Sequence, residues 1–162
     1  MPPLRFARVE TPIGPMLVAE TDAGIAAVTR AGSLEAFLEP LRRRFPGFEP
    51  APGDLNLAWL TDALDGHEGR LPAIDARGLS RFDARVYEAV RAVPRGETVT
   101  YGEVAALIGS PGAARAVGGA MSRCPLFPAV PCHRVVRASD GWSGWGEDDR
   151  LKRRLLDAER AR

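Results

Sequence analysis

The chain has 162 residues, 45% of them hydrophobic, with 22 Lys and Arg against 21 Asp and Glu, a formal net charge of +1. That length allows one domain or two small ones, and the apolar share suffices for a real core. No run approaches the ~18 apolar residues of a membrane span, and Met1-Pro2-Pro3-Leu4-Arg5 lacks a secretory pattern, so a cytoplasmic protein with no membrane partner is expected. The near-neutral total hides an asymmetry. Residues 1–76 carry 7 Arg and 11 Asp and Glu, a net of −4; residues 77–162 carry 15 Lys and Arg and 10 Asp and Glu, a net of +5. The basic half is the one expected to meet a polyanion.

In chain order, Arg5–Glu10 alternates as a strand, Thr11–Pro15 turns, Met16–Glu20 is a second strand, and Asp22-Ala23-Gly24 turns into a third, Ile25–Val28. Ser33 then reads as the cap of a helix carrying Leu34, Phe37, Leu38 and Leu41, up to Phe45. Pro50-Ala51-Pro52-Gly53 breaks the chain. Leu57, Leu60 and Leu64 predict a second helix, with His67 in the loop after it as a solvated or capping residue. The pattern changes after Ala76-Arg77-Gly78. Ser80 caps a helix with Phe82, Val86, Val90 and Val93, and Thr98-Val99-Thr100 is a short extended piece. A helix from Thr100 or Tyr101 places Val104, Ala105, Leu107 and Ile108 on one face. A Gly-Ser-Pro-Gly turn joins it to a helix over 113–121, and the pair reads as a helix-turn-helix. The second of these helices is nearly bare. Its side chains are mostly Ala and Gly, with Arg115 as the single long charged probe, so another backbone can approach it closely.

Chemistry concentrates at Pro131-Cys132-His133-Arg134-Val135. Only His67 and His133 exist, and His133 adjoins Cys132, one of two cysteines. A thiolate is the nucleophilic form of cysteine, and a neighbouring base raises its fraction. A buried structural cysteine is the plainer alternative. The spacing of Cys124 and Cys132 allows a small disulfide loop in an oxidising compartment and two thiols in the cytosol. No Cys and His cluster has zinc spacing, so no metal or other cofactor is expected.

Four stretches, taken together, resemble the O6-alkylguanine-DNA alkyltransferases (methylated-DNA–protein-cysteine methyltransferases). They are residues 94–105 (PRGETVTYGEVA), 113–121 (AARAVGGAM), 131–136 (PCHRVV) and 155–159 (LLDAE). Before them only Thr11–Pro15 and the strand after it match, in outline. The resemblance implies an α+β chain: a ribonuclease H-like α/β domain over 1–76, packed on a helical, winged-helix-like domain with a helix-turn-helix over 77–162. It also implies irreversible transfer of an alkyl group from O6-alkylguanine, and from O4-alkylthymine, to Cys132, with one lesion repaired per molecule. His133 matches the base acting through a water, Glu159 the carboxylate that orients it, and Tyr101 the hydroxyl that protonates the departing guanine. Arg115 matches the finger that fills the stack when a base is flipped out. Thr100, Ala114, Ala116, Gly118 and Arg123 match DNA-backbone contacts, which fix position without reading sequence. Met121, Val135, Trp142 and Ser143 match the pocket for the base. The implied partner is double-stranded DNA carrying O6-alkylguanine, met by a monomer.

The chain departs from the family at several positions. Cys124 stands where the family has an Asn that ties the recognition helix to the active-site turn. Cysteine is a weak donor and acceptor, so Cys124 is expected to act on Cys132 as a redox partner or second alkyl acceptor. Trp142 replaces a Tyr in a loop that is also short, Asp83 replaces a Gln and Tyr87 a Trp. Three other functions compete. A non-catalytic alkyltransferase-like lesion binder would lack Cys132. A sequence-reading regulator needs long polar side chains on its recognition helix. A thiol protease would leave the bare helix without a purpose.

Overall fold

Alternating side chains and glycine turns set the start of the chain. In the computed structural model, which describes residues 3–67, 69–142 and 149–160, β1 (Leu4–Thr11), β2 (Gly14–Thr21) and β3 (Gly24–Arg30) form an antiparallel meander. Gly24 opens β3 at φ +144, and a Cβ there would lie 2.4 Å from the Ala73 carbonyl oxygen, so only glycine fits this turn. β4 (Pro50–Pro52) adds a parallel partner to β1, and the sheet order is β3-β2-β1-β4. The sequence reads this Pro-rich stretch as a break. Proline lacks the N–H a central strand needs but is tolerated at an edge, and β4 is an edge strand.

Ser33 caps α1 (Leu34–Arg44), its Oγ accepting from the Ala36 N–H at 3.2 Å. Phe37, Leu38 and Leu41 of that helix pack with Leu4, Leu17, Ala19 and Ala26 of the sheet. Arg44 donates to the carbonyls of Ala26 at 2.6 Å and Asp75 at 2.8 Å. Asp75 is 2% exposed. Burial alone would raise its carboxyl, but hydrogen bonds from Arg77 and Thr21 outweigh burial and hold it below the usual range. α2 (Ala58–Leu64) buries Leu60 and Leu64.

The second half is built from helices. Ser80 Oγ accepts from the Asp83 N–H at 3.0 Å and starts α3 (Arg81–Arg91), whose Val86, Tyr87 and Val90 are buried. β5 (Val99–Thr100) pairs in parallel with β6 (Val135–Val136). A reciprocal cap begins α4 (Tyr101–Leu107): Thr100 Oγ1 accepts from the Glu103 N–H at 3.0 Å, and Glu103 Oε1 from the Thr100 N–H at 3.3 Å. α5 (Ala114–Ser122) and α6 (Asp149–Arg160) follow. Leu107, expected on the apolar face of α4, is 67% exposed; Val104, Ala105 and Ile108 fill that face without it.

The chain is therefore a mixed α+β fold, with six α-helices among the described residues. It forms two compact units. One holds Met1–Leu64, Gly69–Leu79 and Pro125–Ala129; the other holds Asp65–Glu68, Ser80–Cys124 and Val130–Arg162. Residues 125–129 return to the first unit, where the Val28 N–H donates to the Pro125 carbonyl at 2.8 Å. None of the described helices is long and apolar enough to cross a membrane.

Candidate active site

Pro131 sets up the Cys-His turn. Proline fixes φ, and Pro131 has φ −77 and ψ 69, the dihedrals of an inverse γ-turn. The Cys132 N–H accordingly donates to the Val130 carbonyl at 2.7 Å. One 3₁₀ turn, Cys132–Arg134, follows, closed by the Arg134 N–H on the Pro131 carbonyl at 3.0 Å, and the chain then enters β6. All three side chains of the turn are buried.

α6 supplies the groups facing that turn. Leu151, Lys152, Leu155, Leu156 and Glu159 recur at helical spacing and form its buried face. Gly66, at φ +72, passes so close to this helix that a Cβ there would sit 2.7 Å from the Ala158 Cβ. Glu159 is 4% exposed and takes both arms of Arg134: Nε donates to Oε1 at 3.0 Å and Nη2 to Oε2 at 2.7 Å. The third guanidinium nitrogen, Nη1, donates to the Val93 carbonyl at 2.9 Å. His133 Nε2 stands 2.9 Å from Glu159 Oε2. Burial would raise the Glu159 carboxyl, yet His133 and Arg134 together pull it down to about 2. Burial lowers the His133 imidazole, and Glu159 only partly opposes this. A carboxylate at Nε2 favours the tautomer protonated there, so His133 is a neutral imidazole at neutral pH with Nδ1 as its basic nitrogen.

Cys132 is 8% exposed. Its thiol is pushed well up, first by a hydrogen bond with the Cys124 side chain and then by burial, while the Lys152 charge pulls the other way. Both cysteines are free thiols. The resting pair at neutral pH is thus a thiol beside a neutral imidazole, and ionising Cys132 requires moving its proton to an acceptor. Lys152 is completely buried, donates to the Val135 carbonyl at 2.9 Å, and lies 5.3 Å from the Trp142 ring. Burial lowers its ammonium to about 8.

The other expected site residues are distributed as follows. Arg115 and Ala116 are exposed on α5, Ala114, Gly118 and Met121 are half-buried there, and the Tyr101 ring faces Gly118, 4.0 Å from where a Cβ would be. Thr100 is engaged in capping α4. Arg123, expected as a phosphate contact, carries an ion pair to Asp83 at 2.9 Å, and its guanidinium lies over Gly119. Trp142 is held in a tight turn in which the Arg137 N–H donates to its carbonyl at 3.0 Å. The Arg153 guanidinium stacks 4.4 Å above its ring. Ser143 lies outside the described residues.

Sequence reasoning missed three residues of this site. Lys152 reads as part of a solvated basic run, and only its i, i+3, i+4, i+7 relation to Leu155, Leu156 and Glu159 hints at burial. Arg134 reads as one more basic residue, although no other residue of the turn could fix Glu159 through two parallel bonds. Tyr87 is fully buried and donates its hydroxyl to the Ala120 carbonyl at 2.7 Å, tying α3 to α5.

Residues 81–161 match the family model described as 6-O-methylguanine DNA methyltransferase, DNA binding domain. The methylated-DNA–protein-cysteine methyltransferase of Mycobacterium tuberculosis is 40% identical over 98% of this chain and 94% of the relative. The bifunctional transcriptional activator and DNA repair enzyme Ada of Escherichia coli is 34% identical over 96% of this chain but only 45% of its own length. Among solved structures, the Mycobacterium tuberculosis OGT in complex with DNA superposes with a TM-score of 0.76 at 35% identity, covering 97% of this chain and 93% of that one. A near-full-length match at this identity, together with the family model over residues 81–161, places this protein in the methylated-DNA–protein-cysteine methyltransferase family.

Proposed function

We propose that this protein repairs DNA by taking an alkyl group from O6 of guanine, and from O4 of thymine, onto Cys132 Sγ, each molecule acting once as a monomer on double-stranded DNA. The observation that carries this reading is the buried His133–Glu159 pair, its imidazole neutral, in the same turn as the buried Cys132. His133, acting through a water, takes the Cys132 proton. The thiolate attacks the alkyl carbon, the bond from that carbon to O6 breaks, and the electron pair moves into the guanine. Tyr101 gives the leaving guanine a proton, which His133 replaces. Glu159 steadies the imidazolium while the proton is on it. The Lys152 ammonium favours the thiolate electrostatically. The product is a thioether with no good leaving group, so the site does not reset.

On this reading residues 77–162 carry DNA binding and transfer, and 1–76 form a ribonuclease H-like domain. The bare α5 enters the minor groove, Arg115 fills the vacated stack, and Ala114, Ala116, Gly118 and Thr100 line the backbone. Val135, Met121 and Trp142 surround the flipped base. Flipping costs a few kcal/mol. Arg115→Ala is therefore expected to slow repair of O6-methylguanine in duplex DNA by about 10- to 100-fold while barely changing uptake from a free O6-alkylguanine base, measured as single-turnover rates. Mass spectrometry after mixing the protein with one equivalent of methylated duplex tests the whole scheme. One methyl on the Cys132 peptide and no turnover beyond one equivalent is the expected result. Tight binding without mass gain would make the protein a lesion binder.

A further inference from the structure

We propose that Asp83 is a positioning residue for DNA engagement: it holds Arg123 as a strut that fixes the C-terminal end of α5 against α3, and Arg123 serves that helix rather than a phosphate. α5 brings few anchors of its own. Only Val117 and Ala120 of its residues are buried, Ala113 makes no side-chain cap, and Gly118 and Gly119 both weaken a helix. The bareness that lets another backbone approach α5 also removes the side chains that would lock it in place.

Two ties from α3 take over that task. The fully buried Tyr87 donates its hydroxyl to the Ala120 carbonyl at 2.7 Å. Asp83 takes two nitrogens of Arg123, Nη2 onto Oδ1 at 2.9 Å and Nε onto Oδ2 at 3.3 Å. Asp83 is 8% exposed and is itself placed by the cap of α3, its N–H donating to Ser80 Oγ at 3.0 Å. Arg123 is the C-cap of α5, its N–H donating to the Gly119 carbonyl at 3.2 Å. From there the side chain arches back over Gly119, where a Cβ would lie 3.0 Å from Nη1. A forked guanidinium on a carboxylate fixes direction as well as distance. The cation also lies at the helix end where the carbonyl dipoles favour positive charge. With Nε and Nη2 committed to Asp83, the Arg123 charge is already faced by an anion.

That the tie serves repair rests on α5 being the element that enters DNA; the tie itself does not. The test compares wild type with Asp83→Ala, Arg123→Ala and the double variant. It reads amide hydrogen exchange over α5, binding to methylated duplex across a salt series, and single-turnover methyl uptake from duplex and from free O6-methylguanine base. Exchange at 117–122 is expected to quicken in each variant. Duplex binding and duplex uptake should fall about fivefold, the scale of one partly exposed ion pair, while free-base uptake stays within about twofold. The salt slope should not change, and the double variant should lose no more than either single one. A phosphate role predicts the opposite. Asp83→Ala would then release Arg123 and tighten binding, and Arg123→Ala would flatten the log–log salt slope by about one. Either result would overturn the proposal. So would wild-type exchange in α5, quicker exchange with unchanged duplex binding, or an equal loss of free-base and duplex uptake. Quicker exchange and weaker duplex binding in variants of a protein that takes up no methyl would uphold the tie and refute the repair reading.

Discussion

Replacing Cys132 by Ser is expected to lower alkyl uptake by more than about 10³-fold, the scale of removing a catalytic nucleophile. A serine hydroxyl is scarcely ionised at neutral pH, and its oxygen is a poorer nucleophile towards an alkyl carbon than a thiolate. Cys132 is not resting as a thiolate either: Cys124 and burial push its thiol up, so in the proposed mechanism it depends on the neutral His133 to take the proton. A serine in the same turn still faces that base and the Lys152 charge, but neither makes oxygen comparably reactive. Binding to methylated duplex should change less than about threefold, since the DNA contacts proposed above lie on α5 and at Thr100, the cap of α4. The check is single-turnover mass gain alongside a salt-controlled binding titration. Residual methylation on Cys124 in the variant would move the acceptor to that thiol.

The sequence made the local parts legible where one interaction dominates. Ser33, Ser80 and Thr100 cap helices because a short polar side chain before an apolar period can satisfy the first N–H groups. Tertiary partners were not legible. Nothing local in Pro50–Pro52 announces an edge strand, since its pairing with β1 joins residues about forty-five positions apart. Leu107 fits the apolar period of α4, yet the helix ends there and leaves it outside. At the site, Cys132 and His133 were visible because they adjoin. Glu159 entered only through the family motif, and Lys152 and Arg134 were hidden because burial of a charge is set by partners on other elements. Asp83 and Tyr87, read as mere replacements, turn out to hold Arg123 and the end of α5.

Glu159→Gln is expected to cost about 3–5 kcal/mol of stability near neutral pH, because it strands the buried Arg134 guanidinium without its counter-charge. The pH dependence identifies the cause. Glu159 falls to about 2 in the folded chain from an ordinary 4.5. A depressed carboxyl stabilises the fold above its unfolded value and loses that contribution as pH falls through the folded one. The wild-type gain, about 3 kcal/mol for such a shift, is therefore complete above pH ~5 and drains away between about 5 and 2. The variant lacks this limb, so the stability gap between the two proteins should narrow across that window. His133 adds a separate loss that begins near pH 6.5 in both: its folded imidazole is lowered, so the unfolded chain takes up the proton first and gains stability from it. Denaturant melts at several pH values separate the two windows. Under conditions where the variant is folded, alkyl uptake should still drop by about 10²-fold or more, since an amide neither fixes the imidazole tautomer nor balances the imidazolium. A variant with normal uptake would show that Glu159 serves only to hold Arg134 in place, leaving His133 to act alone.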